Sequence, residues 1–136
     1  MNVAIIGAGA AGFFSALAVK ENFPTASVTI FEKASKRLTK VKISGGGRCN
    51  VTNSADTIKK LATAYPRGAN KLKKAFATFS NKDTIAWFEA RGVPLFAQED
   101  ARVFPVSQDS QSIIDCFVKE TNKKGVKISM STAVLA

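Results

Sequence analysis

Three glycines and one carboxylate near the start of the chain have the types and spacing needed to hold a dinucleotide. Gly7, Gly9 and Gly12 form a GxGxxG turn after a short apolar run, and Glu32 ends a second apolar run 20 residues past the third glycine. The first glycine allows a tight turn, the second lets a pyrophosphate approach the backbone, and the third lets helix and strand pack closely. The helix N-terminus attracts phosphate, and the acid accepts a hydrogen bond from a ribose hydroxyl. This order predicts a dinucleotide-binding βαβ unit.

Two other interpretations of this segment are weaker. Residues 1–19 carry no charged side chain, and Ala16-Leu17-Ala18 resembles a signal-peptidase site. However, no basic residues precede the apolar run, and three spaced glycines would weaken a membrane helix. A strand and helix used only for packing would not require the glycines and Glu32 at this spacing.

The segment 33–54 predicts a second ligand-binding feature. It is polar and rich in glycine, which favours a long loop, and a loop of this length inside a compact domain is usually functional. Its centre is Ser44-Gly45-Gly46-Gly47-Arg48-Cys49-Asn50. Consecutive glycines let backbone amides crowd a ligand, while Arg48 and Asn50 supply a charged and a neutral polar contact. The alternative is a flexible linker, which the sequence after Asn50 disfavours because it contains no further glycine and serine repeats.

The two cysteines favour neither a disulfide scaffold nor a metal site. Cys49 and Cys116 lie in unrelated contexts, and the chain has no histidine, so histidine triads and histidine-ligated metals are excluded within it. A C-x4-C redox pair is also excluded, because residue 54 is serine. We expect Cys116 to pack in the core and Cys49 to be structural or to contact a cofactor, with a thiol of lowered pKa beside Arg48 as the alternative. No metal and no catalytic acid or base is predicted.

The net charge of +10 is concentrated in one part of the chain. Residues 33–74 are opposed only by Asp56 and contain twelve cations: Lys33, Lys36, Arg37, Lys40, Lys42, Arg48, Lys59, Lys60, Arg67, Lys71, Lys73 and Lys74. One interpretation is a solvated surface with a few cations near the cofactor phosphates. The other is a face for a polyanion such as RNA.

The apolar patterns predict an α/β fold with a Rossmann-like parallel three-stranded sheet. We expect strands at 2–6, 28–32 and 126–130, in the order third, second, first, covered by helices at 10–21 and 110–124. A helical insertion with a hairpin, residues 55–107, separates the second and third strands. The first strand then lies at an edge, where a further strand or a second copy of the chain would pair.

Helical periodicity in the insertion appears at 58–65 and 72–79, separated by Pro66-Arg67-Gly68. Asn81 is expected to cap a third helix, which Gly92 ends.

A short hairpin follows, formed by Pro94–Gln98 and Ala101–Val106. Pro94 and Pro105 are expected to keep it at a sheet edge. The phenylalanines and Trp87 are interpreted as core residues and not as a stacking platform.

Several segments in one order resemble the bacterial aminoacetone-oxidase-like (BaiN-type) flavoprotein family. They are GAGAAG, the acid-ended second strand, KVKISGGGRCNVTN, YPRG, WFEARGVPL, RVFPVSQDSQSIID and GVKI. The similarity covers essentially the whole chain, and the GGGRCN loop is far more specific than GxGxxG. Ala101 departs from the family, which usually has glycine there.

The resemblance implies an FAD-dependent oxidoreductase, with NAD(P)H as a candidate electron donor. It places the first glycines at the pyrophosphate, Glu32 at the adenosine ribose and the second glycine loop near the flavin. The residues expected to contact the cofactor are Gly7, Gly9, Ala10, Ala11, Gly12, Glu32, Lys33, Gly45, Gly46, Gly47, Arg48, Cys49, Asn50 and Val134.

Members of that family are much longer than this chain. We therefore expect residues 1–136 to be the N-terminal part of an FAD/NAD(P)-binding domain that pairs with the remainder of its polypeptide. Alone, it should fold at least partly yet retain no FAD and show no turnover. The substrate is expected to be a small molecule or, in the alternative interpretation, an RNA base. Without a secretion signal or a membrane partner, the expected location is the cytoplasm.

Overall fold

The structure is a computed structural model that describes residues 1–135. Its elements are β1 (Asn2–Ile6), α1 (Ala10–Asn22), β2 (Ser27–Phe31), α2 (Thr39–Ile43), β3 (Thr52–Asn53), α3 (Ile58–Thr63), α4 (Ala69–Thr78), α5 (Asn81–Glu89), β4 (Leu95–Ala97), β5 (Arg102–Pro105), α6 (Gln111–Lys123) and β6 (Lys127–Ser129). Within these residues no helix is both long and apolar enough to cross a membrane.

A parallel sheet in the order β1-β2-β6 forms the centre of the fold, which confirms the predicted strand order. Val28 and Ile30 of β2 are buried, as expected for the middle strand of a parallel sheet. β1 lies at an edge, and its residues alternate between exposed and partly buried. One side of β1 therefore faces solvent, and Ile6 is 63% exposed.

The two predicted long helices pack against this sheet and against each other. Phe13 and Leu17 lie four residues apart on α1, so they share one face, and both are buried. The Phe13 ring lies 5.9 Å from the ring of Phe117 on α6. Gly125 follows the last turn of α6 with φ +66°, a left-handed conformation that commonly ends a helix.

Arg91, just after α5, joins three helices. Its Nη2 donates to Glu21 of α1 at 2.7 Å, and its Nε lies 3.6 Å from a carboxylate oxygen of Glu120 on α6. Its guanidinium also lies over the ring of Trp87, 3.8 Å from the centroid. These contacts fix Trp87 at the boundary of the core.

The predicted hairpin is present as β4 and β5, but it belongs to a three-stranded antiparallel sheet in the order β3-β5-β4. The prediction that Pro94 and Pro105 keep the hairpin at an edge is therefore wrong for β5, which is the middle strand. Pro105 is tolerated because it is the last residue of β5, opposite Leu95, where a missing N–H removes little of the ladder. Ala101 turns between the strands with φ +65°, a conformation that favours glycine.

The prediction of one long loop over 33–54 is also incorrect. This segment contains α2, a 3₁₀ turn at Ser44–Gly47, and β3. Leu38 and Val41 are buried, and their contacts stabilise a helix that is too short to show a periodic pattern. Two residues of β3 likewise give no alternation to detect.

The insertion contains α3, α4 and α5, with the break near Pro66–Gly68 as predicted. The cap of α5 is Ser80, not Asn81: the Ser80 hydroxyl accepts from the N–H of Asp83, whose carboxylate accepts from the Ser80 N–H. Asn81 instead points inward and donates to the carbonyls of Asn53 and Ala55 at 2.6 and 2.9 Å. This amide anchors α5 to the second sheet.

Candidate functional site

The glycine turn after β1 brings the start of α1 close to the end of the strand. Gly7 has φ +102° and its N–H donates to the carbonyl of Phe31 at 2.7 Å. A Cβ on Gly12 would collide with the carbonyl oxygen of Gly7. The packing role predicted for Gly12 is therefore confirmed.

Gly9 differs from Gly12, because a Cβ built on Gly9 meets no atom of the protein within 4 Å. It differs from Gly7 because its φ is negative, so its backbone does not require glycine. It is the N-cap of α1 in an extended conformation, and no side chain in the described chain caps this helix. Gly9, Ala10 and Ala11 are exposed. The positive end of the helix dipole is therefore open to an anionic ligand.

Glu32 joins the carboxyl ends of all three parallel strands. Its side-chain oxygens accept from the N–H groups of Ala8 and Ala34, both at 2.8 Å. Its own N–H donates to Ser129, and its carbonyl accepts from Thr132. The bonds from Ala34 and then Ala8 lower the pKa of the carboxyl group, so Glu32 is charged at neutral pH and retains free lone pairs for a ligand.

The second glycine loop has an unusual backbone. Gly45, Gly46 and Gly47 have φ of +57°, +68° and +86°, and Cys49 has φ +62°. A Cβ on Gly45 would lie 2.7 Å from the Asn50 nitrogen and 2.9 Å from the Phe104 ring, so glycine is required there. The Gly47 carbonyl accepts from the N–H of Ser110, which fixes the loop to the start of α6.

Arg48 faces the second sheet. Its guanidinium lies 4.3 Å from the centroid of Phe104 and donates to the Gly45 carbonyl and the Gln108 side chain, both at 3.3 Å. These contacts hold the loop against β5. A role for Arg48 at a cofactor stays a prediction.

The Cys49 thiol is buried, and this burial raises its pKa. The alternative of a thiolate with a lowered pKa beside Arg48 is therefore wrong, because the guanidinium is turned toward Phe104. Burial also raises the pKa of Cys116, to about 11, in agreement with its predicted packing role.

A cleft of about 900 Å³ runs from the Glu32 end of the sheet to the aromatic core. Of the residues predicted to contact a cofactor, seven line it: Gly9, Ala10, Ala11, Glu32, Lys33, Cys49 and Asn50. The lining does not include Gly7, Gly12, Gly45, Gly46, Gly47, Arg48 or Val134. Gly7, Gly12 and the glycine loop instead shape the backbone behind the cleft, and Val134 is exposed.

Sequence reasoning missed the aromatic half of the cleft. Phe88 and Phe117 are buried in the core and Trp87 packs against it, as expected from the sequence, but these three residues also line the cleft, together with Phe14 and Phe79. Phe14 follows Ala10 by four residues, so the two share one face of α1. This spacing in the sequence indicates that Phe14 lies on the same side of the helix as the predicted cofactor contact Ala10. The Phe14 ring lies 5.1 Å from that of Phe79 and 5.3 Å from that of Trp87.

The other half of the cleft is cationic. Lys33, Lys36 and Lys40 line it beside Glu32. Within residues 1–135, no group of three or more metal-binding side chains comes together. The cleft thus offers an anion-binding turn, one acid, a cationic rim and an aromatic wall, an arrangement suited to a phosphate-bearing ligand with an apolar ring system.

A family model described as HI0933-like protein Rossmann domain matches residues 1–136. The chain belongs to this family. Two relatives of this HI0933-like domain are described as ribosomal RNA dihydrouridine synthases. The protein from Haemophilus influenzae is 32% identical over 96% of this chain and 31% of its own length. The protein from Escherichia coli is 33% identical over 97% of this chain and 32% of its own length.

A third relative, a 3-dehydro-bile acid delta(4,6)-reductase from Clostridium scindens, is 29% identical over 98% of this chain and 32% of its own length. This HI0933-like chain thus spans about a third of the length of these curated relatives. The crystal structure of Thermovibrio ammonificans THI4 superposes with a TM-score of 0.60, at 12% identity, over 95% of this chain and 38% of that one. This similarity shows a shared fold.

The two glycines of the first turn should respond differently to a methyl group. Gly12→Ala should lower the free energy of unfolding by about 1–3 kcal/mol, because the methyl group overpacks against the Gly7 carbonyl. Gly9→Ala should cost less, at most about 1 kcal/mol, because its Cβ points into open space and only the lower preference for alanine at an N-cap opposes it. Urea denaturation measures both values, and equal losses would contradict this account of the turn.

Glu32 should make stability depend on pH. The folded state lowers its pKa below the ordinary value of 4.5, so its stabilising effect is full above that value and is lost as pH falls through the lowered pKa. Glu32→Gln should therefore be less stable than wild type at pH 7, with a difference that shrinks in acid. Glu89→Gln, on an exposed position of α5, is the control. A Glu32→Gln difference that stays constant down to pH 2 would exclude this role.

Proposed function

We propose that this chain forms the pyrophosphate-binding part of an FAD-dependent oxidoreductase of the aminoacetone-oxidase-like (BaiN-type) group. The observation that carries the proposal is the convergence of Gly9, the uncapped start of α1 and the Glu32 carboxylate on one cleft. This is the arrangement that a dinucleotide requires. Family membership and a reductase among the relatives support it.

The residues present fit FAD. A Cβ built on Gly9 would meet no protein atom within 4 Å, so a pyrophosphate has room against the backbone there. Lys33, beside Glu32, adds positive charge. The Glu32 carboxylate has lone pairs left for ribose hydroxyl groups. Cys49 and Asn50 line the continuation of the cleft toward its aromatic wall, which suits a flat ring system.

When bound, FAD supplies hydride transfer, and the protein supplies position and electrostatics. The start of α1 would hold the phosphates, Glu32 would orient the adenosine ribose, and the buried Cys49 would exclude water near the ring. NAD(P)H is our proposed electron donor. The two cysteines are free thiols, as in proteins of a reducing compartment, and we place the protein in the cytoplasm.

Further polypeptide, of the kind that the longer relatives possess, would complete this site. Within residues 1–135, β1 pairs only with β2, so its other edge offers backbone groups to another strand. A second copy of the chain would compete for the same edge when that strand is missing. The substrate we propose is a small molecule.

The chain has one tryptophan, and it lines the cleft, so its fluorescence reports binding. We expect the purified 136-residue chain to be colourless, and added FAD to quench Trp87 weakly but saturably. Gly9→Val should abolish the quenching, because its side chain extends into the space proposed for the pyrophosphate, where a Cβ meets no protein atom within 4 Å. Ser15→Val places the same side chain at an exposed position of α1 and should bind FAD like wild type.

Unchanged quenching in Gly9→Val would refute the placement of FAD at this turn. A purified chain that is yellow, with stoichiometric flavin, would show instead that no further polypeptide is needed.

A second candidate function is the flavin-dependent reduction of RNA bases. It is favoured by the twelve cations in residues 33–74 and by the two relatives described as ribosomal RNA dihydrouridine synthases. In this case the substrate is an RNA base and not a small metabolite.

The salt dependence of RNA binding distinguishes the two candidates. Binding to a structured RNA should weaken with salt, with a log–log slope of about −3 or steeper if several lysines neutralise phosphates. Fluorescence anisotropy of a labelled RNA stem-loop measures the slope. A slope near zero favours the small-molecule substrate.

A further inference from the structure

The helices α3 and α4 form a hairpin that stands apart from the core. We call residues 57–79 the basic hairpin. α3 buries Leu61 and Ala62, whereas α4 has no buried residue. Within the described residues α4 packs mainly on α3, and its Phe76 ring lies 5.6 Å from the ring of Tyr65. The outer side of α4 is therefore free to meet a partner.

This outer side is strongly positive. The hairpin carries six cations, all exposed, and the nearest carboxylate in sequence is Asp56, which lies 3.7 Å from Lys60. On α4, Lys71 and Lys74 are three residues apart and share one face, while Leu72 and Phe76 lie on the opposite face. The charges thus point away from the protein.

The end of the hairpin meets the cleft. Phe79 follows the last turn of α4, lines the cleft beside Phe14, and is 36% exposed. A chain of phosphates lying along α4 would therefore lead to the aromatic wall, where an unstacked base has rings to pack against.

The chemistry of this face favours a nucleic acid over a membrane. A helix that binds a membrane surface inserts large apolar side chains from the same element. Here the apolar residues Leu72 and Phe76 are half-buried on the face opposite Lys71 and Lys74. The exposed aromatic residues of the hairpin, Tyr65 and Phe79, lie outside α4. The face of α4 that carries Lys71 and Lys74 has no large apolar side chain, which suits evenly spaced phosphates.

We infer that the basic hairpin is a docking surface for the phosphate backbone of a structured RNA, which it holds so that a base reaches the cleft past Phe79. This inference rests on the second candidate function above. It assigns RNA affinity to α4 and not to the lysines around Glu32.

The test compares two triple variants that each remove three positive charges. Lys71→Gln/Lys73→Gln/Lys74→Gln neutralises all three lysines of α4. Lys119→Gln/Lys123→Gln/Lys127→Gln neutralises three exposed cations of α6 and β6 and is the matched control. Binding of a labelled RNA stem-loop is measured by anisotropy from 50 to 300 mM salt, with circular dichroism to verify folding. The hairpin variant should lose on the order of tenfold or more in affinity, and its salt slope should fall by about 2–3.

Each result supports or overturns the inference. Equal losses in the two triple variants would show that RNA responds only to net charge, and would overturn the docking site while leaving the RNA candidate intact. Absence of RNA binding by the wild type would overturn both. Binding to vesicles containing anionic phosphatidylserine that requires the hairpin lysines, without RNA binding, would make the hairpin a membrane contact instead. A hairpin variant that fails to fold would contradict the inference, because these lysine side chains would then contribute to folding and not only to the binding of a partner.

Discussion

The carboxylate and backbone of Glu32 hold together the ends of the three parallel strands. The side chain accepts from Ala8 after β1 and from Ala34 after β2, and the backbone pairs with Ser129 and Thr132 at the end of β6. Charge-assisted hydrogen bonds of this kind are stronger than neutral ones. The position of the glycine turn, and hence of the start of α1, depends on them.

This constraint allows one residue to serve the fold and, in the function proposed above, also the ligand site. A carboxylate that already accepts two backbone N–H groups has a fixed orientation, and it keeps acceptor capacity on its solvent side. The negative charge at Glu32 is balanced by the open N-terminus of α1 and by Lys33. An anionic ligand with ribose hydroxyl groups meets both kinds of partner in one cleft.

The second sheet acts as a support for the Gly45–Gly47 loop. Phe104 of β5 packs under Gly45 and carries the Arg48 guanidinium, while Ser110 binds the Gly47 carbonyl at the start of α6. The loop is therefore held on two sides, and the residues that flank its glycines, Ser44, Cys49 and Asn50, reach the cleft. The antiparallel sheet and the Rossmann-like sheet are joined at this loop.

The sequence by itself determined the strand order, the two long helices, the glycine turn after β1 and the position of Glu32 at the end of the neighbouring strand β2. These features depend on local periodicity and on backbone conformations that only glycine adopts readily, so they can be recognised in residue types alone. The orientation of Arg48, the aromatic wall at Phe14 and Trp87, and the short elements α2 and β3 depended on the tertiary structure. The Arg48 guanidinium stacks on Phe104, a ring that a strand far away in the sequence brings close to it. No local sequence pattern specifies which distant surface a side chain will contact.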